Sequence, residues 1–122
     1  MALASVSFEI DFTIDRTSRS RKAALGSLAQ RIGSCRPDIS PHDISNCLLA
    51  REKLGSTAIG SGVAAPHTIF KQSCTPLVQV TQLKYAIDFD ASDATPVDVL
   101  LSVVGNRHDL RWLHLALPRF AK

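Results

Sequence analysis

Residues 8–14 alternate: Phe8, Ile10, Phe12 and Ile14 are separated by Glu9, Asp11 and Thr13. A two-residue period predicts a strand with one wet face. The Thr17-Ser18-Arg19-Ser20 cluster then offers capping hydroxyls, and Leu25, Leu28, Ala29 and Ile32 recur at helical spacing, predicting a helix to about Ile32 with Gly33 as its stop. A second helix opens at Ser40-Pro41-His42-Asp43, with a hydroxyl at the cap, proline at the first turn and a carboxylate at the third position. Ile44, Cys47, Leu48 and Arg51 fall on one face of it, Gly55 ends it, and Arg51 in its last turn complements the helix dipole.

Beyond Gly55 the period shortens. Gly55, Gly60 and Gly62 punctuate the short pieces Thr57-Ala58-Ile59 and Val63-Ala64-Ala65, and Pro66 stiffens the backbone ahead of His67. Leu77 to Leu83 alternates as a half-exposed strand, whereas the nearly continuous Val97 to Val104 predicts a central strand covered on both faces. A turn-rich loop, residues 88–96, joins them. A last helix is expected from Asn106, with Leu110, Leu113 and Leu117 inward and a break or kink at Pro118. The alternation predicts an α/β three-layer sandwich, a mixed β-sheet flanked by helices.

Composition narrows the function classes. The 122 residues amount to a single domain, 1–122, with 45% hydrophobic and 20% charged residues. Lys+Arg 14 against Asp+Glu 11 gives +3, and the excess is not gathered into the stripe that nucleic acid requires. Arg16, Arg19, Arg21 and Lys22 read instead as a solvated helix face. The run Val97 to Val104 is about half of a membrane span, so no span is expected. No basic segment precedes the first apolar residues, so no secretory signal is expected. Cys35, Cys47 and Cys74 are odd in number and lack a CxxC pair, which suits free thiols in a reducing cytoplasm.

Chemistry is sought first among the histidines. His67 follows a proline at the end of a short apolar strand behind two glycines, a stiff platform for a side chain that must meet an incoming group in one geometry. His42 lies in a helix first turn and is expected to face solvent; His108 opens a polar helix start. His114, between Leu113 and Leu115, reads by itself as a histidine at the edge of the core. No two of His42, His67, His114 and the cysteines have metal-ligand spacing, so no metal is expected. The chain has no GxSxG elbow and no GxxxxGK[ST] loop.

The run from Leu48 through Arg51-Glu52-Lys53-Leu54-Gly55-Ser56-Thr57-Ala58-Ile59-Gly60-Ser61-Gly62 to Pro66-His67 resembles the signature of the fructose/mannitol/nitrogen-type enzyme IIA proteins of the bacterial phosphotransferase system. Ala86-Ile87-Asp88-Phe89-Asp90-Ala91, continued by Thr95-Pro96-Val97-Asp98, is similar to a second family segment, and His114-Leu115 to a third. The likeness spans roughly residues 16–121 and is nearest in type to the nitrogen-regulatory enzyme IIA.

The resemblance implies that His67 accepts a phosphoryl group from the phosphohistidine of an HPr-like carrier, with no cofactor. It also implies that His114 is the second active-site histidine, donating an N–H to developing charge. Arg51 then becomes a candidate guanidinium for the phosphoryl oxygens, with hydroxyls from Ser56 and Thr57 beside it. The downstream acceptor, a cysteine-bearing IIB protein or a regulated target, is left open. The chain departs from the family at Ala65, usually a larger aliphatic residue, and at Thr68-Ile69-Phe70, where a small and a basic residue are common. It stops at Lys122, some 25 residues earlier than is usual, and is expected to leave apolar surface for a partner or a homodimer to hide. Two further functions compete: a regulatory binding module that has lost transfer, and a basic nucleic-acid binder.

Overall fold

The structure is a computed structural model and describes residues 9–69 and 77–105. In chain order it contains β1 (Glu9–Asp15), α1 (Arg21–Cys35), α2 (Pro41–Leu54), β2 (Ala58–Gly60), β3 (Val63–Ala64), β4 (His67–Ile69), β5 (Leu77–Ile87) and β6 (Val97–Gly105). The strands form one mixed sheet in the order β1-β5-β6-β3-β2, with β4 also beside β6. This is an α/β sandwich, as the alternation of elements predicts. The helix expected from Asn106 lies outside the described residues.

Ser20 caps α1 by accepting the Ala23 N–H at 3.1 Å, satisfying one of the donors that a helix start leaves without a partner. The helix then buries Leu25, Leu28, Ala29 and Ile32, the four positions its periodicity marks. It does not stop at Gly33. It runs on to Cys35, and Gly33 serves the packing of α2: a Cβ there would stand 2.6 Å from the Pro41 Cγ. α2 starts at Pro41 as its cap signals predict, and buries Ile44 and Leu48. Cys47, expected on the same face, is exposed, and Glu52 is buried in its place.

Both helices cover one face of the sheet, where Leu77, Leu83, Leu100 and Val104 complete the core. Each such side chain contributes about 1.5–3 kcal/mol by leaving water. The covered face also carries Gln79, Thr81 and Ser102, all buried, and Gln79 donates to Thr13 Oγ1 at 2.8 Å.

The faces of β1 are the reverse of what its apolar alternation suggests. Ile10, Phe12 and Ile14 are 54%, 74% and 51% exposed, on the side away from α1 and α2. The reason is register. Phe12 pairs with Val80 and Val80 with Leu101, and paired residues share a face, so the polar set Glu9, Asp11, Thr13 and Asp15 lies on the helical side. There it is used at the sheet margin: Glu9 meets Arg36 at 3.2 Å, and Asp15 accepts the N–H groups of Thr17 and Ser18 at 3.1 and 3.0 Å. The outer face carries a groove lined by Phe12, Ile14, Val80 and Val99.

β6 is central, as its apolar run predicts, between β5 on one side and β3 and β4 on the other. Val63 pairs with Val99 and Ala64 with Leu100; beyond Ala65 and Pro66, His67 pairs with Val103 in an unchanged offset. β3 and β4 are therefore two pieces of one line, interrupted where proline removes a backbone donor.

Candidate functional site

His67 is the first residue of β4 and is half-buried. Paired with Val103, it shares the outer face with Val99 and Leu101, opposite the helices. Its Nδ1 lies 3.1 Å from the carbonyl of Ala65. A carbonyl oxygen only accepts, so Nδ1 carries the proton, and in the neutral ring Nε2 holds the lone pair. Proline between the two residues fixes the backbone that sets this contact.

The β2–β3 hairpin precedes His67 in the chain, and its turn is held from a distance. Gly60, Ser61 and Gly62 have φ of 99°, 56° and 82°, a run of left-handed residues that only glycine adopts without cost. The Ser61 N–H donates to Asp93 Oδ2 at 2.8 Å, and the Gly62 carbonyl accepts from Asp98 and Val99 at 2.9 and 3.2 Å. The Asp93 carboxyl is held below its ordinary value, chiefly by the Ser61 N–H and then by that of Thr95. The loop between β5 and β6, a turn-rich segment in the sequence, thus acts as a clamp on the hairpin ahead of His67.

Arg51, Ser56 and Thr57 gather where α2 ends. Arg51 Nη1 donates to the Gly55 carbonyl at 2.9 Å, closing its own helix. The Ser56 hydroxyl donates to the Phe89 carbonyl and accepts the Ala58 N–H at 3.1 Å. The Thr57 hydroxyl donates to Glu52 Oε2 at 2.7 Å. Both hydroxyl protons are therefore committed to partners within the fold. The Thr57 carbonyl in turn accepts the Ala65 N–H at 2.8 Å, bringing this segment within two residues of His67. His114 lies outside the described residues. His42 is exposed and its Nε2 meets Asn46 Nδ2 at 3.2 Å, away from these contacts. Among the described residues no group of three or more His, Cys, Asp or Glu could hold a metal ion.

Two participants did not stand out as site residues in the sequence. Glu52 is only 6% exposed and accepts from the Thr57 N–H at 3.2 Å as well as from its hydroxyl. Arg21 approaches the same carboxylate at 3.7 Å and Asp90 Oδ2 at 3.0 Å, so the basic run before α1 is partly spent on internal pairing. Arg19 likewise stacks on Tyr85, 3.8 Å from the ring centre.

The family model described as phosphoenolpyruvate-dependent sugar phosphotransferase system, EIIA 2, matches residues 8–122. The chain belongs to this EIIA family. A nitrogen regulatory protein of Pseudomonas aeruginosa is 40% identical over 81 residues, 66% of this chain and 53% of that protein. One from Escherichia coli K12 is 36% identical over 87 residues, 70% of this chain and 53% of that protein. The chain thus spans about half the length of the curated relatives it matches. The crystal structure of nitrogen regulatory protein IIA-Ntr from Neisseria meningitidis superposes with a TM-score of 0.80 at 23% identity, covering 99% of this chain and 82% of the other, and shares the fold of this EIIA chain. Among the described residues no helix is long and apolar enough to cross a membrane.

Proposed function

We propose that this EIIA chain is a cytoplasmic phosphoryl-transfer and regulatory protein in which His67 takes a phosphoryl group from an HPr-like phosphocarrier. The observation that carries the reading is the contact of His67 Nδ1 with the Ala65 carbonyl, which leaves Nε2 as the nucleophile. In the step, the Nε2 lone pair forms a bond to phosphorus while the carrier's N–P bond breaks and its electron pair returns to the carrier's imidazole. Neither a metal nor a nucleotide is required, since the step depends on in-line placement and charge stabilisation.

Charge on the phosphoryl oxygens calls for donors. The Arg51 guanidinium, with N–H groups beyond the one given to Gly55, is the first, and His114 supplies a second N–H. Ser56 and Thr57 contribute by holding the segment in place, their hydroxyl protons going to Phe89 and Glu52. The phosphoryl group then passes to a IIB protein, or its presence on His67 sets which regulatory partner binds.

The test is to mix the chain with phosphorylated HPr-type carrier and to measure an acid-labile mass increment, with His67→Ala as control. The increment is expected in the native chain alone. Equal labelling of both removes His67 from the mechanism; labelling of neither favours a regulatory binding module of the same fold that does not transfer.

A further inference from the structure

We propose that Glu52 is a positioning residue for His67, fixing which imidazole nitrogen carries the proton through a short relay of hydrogen bonds. The inference rests on the reading that His67 is the phosphoryl acceptor.

Glu52 is out of place by local rules. It stands in the last turn of α2, where the helix dipole disfavours a carboxylate, and it is buried, where a charge is costly unless paired and hydrogen-bonded. Three groups compensate it: the Thr57 N–H, the Thr57 hydroxyl and the Arg21 guanidinium. Thr57 is thereby gripped at both its backbone and its side chain. Its carbonyl is left to hold the Ala65 N–H at 2.8 Å, and the Ala65 carbonyl faces His67 Nδ1 at 3.1 Å. Pro66 has a fixed φ, which removes one of the rotations between Ala65 and His67 and narrows how far the ring can move when Ala65 is held.

The relay has a chemical consequence. When Ala65 is held, the ring proton sits on Nδ1 and Nε2 carries the lone pair that attacks phosphorus. When Thr57 loses its grip, Ala65 shifts, the Nδ1 contact lengthens, and the ring samples the form with the proton on Nε2. In that form the attacking nitrogen has no lone pair to offer. Glu52 acts at two removes, without touching the phosphoryl group.

The test uses the full chain with ring nitrogens labelled, so that the chemical shifts of His67 report the tautomer without any transfer. The native chain should show a protonated Nδ1 and an unprotonated Nε2. Glu52→Ala should give mixed shifts and slow phosphoryl acceptance by about tenfold or more, the scale expected for a displaced reacting group, with affinity for unphosphorylated carrier unchanged. Glu52→Gln can still accept the Thr57 N–H and donate to its hydroxyl oxygen, so it should keep the tautomer and stay within about threefold of the native rate.

A folded Glu52→Ala chain with native shifts and rate overturns the proposal. So does a Glu52→Gln chain that falls as far as Glu52→Ala, since the charge toward Arg21 rather than the grip on Thr57 would then matter. Should Glu52→Ala not fold, Thr57→Val carries the same test, because it removes only the hydroxyl contact and should shift the tautomer part-way; native shifts there overturn the relay. If the native chain takes no phosphoryl group, the acceptor reading fails, while the ring shifts still decide whether Glu52 governs the tautomer.

Discussion

Gly33 of α1 lies against Pro41, the first residue of α2, so closely that an added Cβ would be 2.6 Å from the proline Cγ. The absence of a side chain lets the second helix begin directly over the first. Gly33→Ala should therefore destabilise the fold by about 1–3 kcal/mol through overpacking, even though alanine favours a helix by about 1 kcal/mol. Gly26 is the internal control. Nothing lies within 4 Å of a Cβ added there, so Gly26→Ala should stabilise by up to about 1 kcal/mol. Urea unfolding of the two variants should move in opposite directions, and a shift in the same direction would refute the packing role of Gly33.

The contrast shows where the sequence is legible. The buried positions of α1 follow from spacing, and so do the start of α2 and the central place of β6. A glycine that ends a helix and one that admits a neighbour look alike along the chain, so Gly33 reads as a stop. Alternation in β1 reveals two faces but not which one the helices cover; that depends on the register with β5. Pro66 reads as a break, while only the pairing with β6 shows that β3 and β4 share one line. The signal for Glu52 was present, a carboxylate in the last turn of a helix against the dipole, and so was that for Phe89, one aromatic residue among aspartates that is fully buried.

Arg51 closes its own helix and is proposed to serve the phosphoryl group as well. Arg51→Ala should cost about 0.3–1 kcal/mol in stability, yet slow phosphoryl acceptance by about 10²-fold, a usual loss when one charge-stabilising donor is removed. Rapid-quench kinetics beside thermal unfolding separates the two effects. Native transfer rates in the variant would confine Arg51 to the helix end.

Asp93 gives the hairpin turn a defined response to acid. Its folded-state value is lowered, first by the Ser61 N–H and then by the Thr95 N–H. A lowered carboxyl contributes fully above the ordinary aspartate value and loses its contribution as the pH falls through the lowered one. Amide exchange at Ser61 should accelerate over that acidic interval beyond the intrinsic trend, and Asp93→Asn should abolish the extra dependence. An unaltered profile in the variant would show that the turn is held by other contacts.

The outer face of β1 offers a check on register. Phe12→Thr should alter stability by no more than about 0.5 kcal/mol, as expected for a side chain that is 74% exposed. Leu100→Ala, under the helices and fully buried, should cost about 2–5 kcal/mol. Chemical denaturation of both variants suffices, and a large loss at Phe12 would mean that β1 turns its other side outward.

The pairing of residues 67–69 with residues 103–105 has a consequence for biosynthesis. During translation His67 emerges from the ribosome well before the strand it must lie against, and the intervening chain has to close a long loop before that edge can zip. The surroundings of His67 are thus completed late and all together, which would make the protection of this one ring from chemical labelling a timestamp for completed maturation of newly made chains.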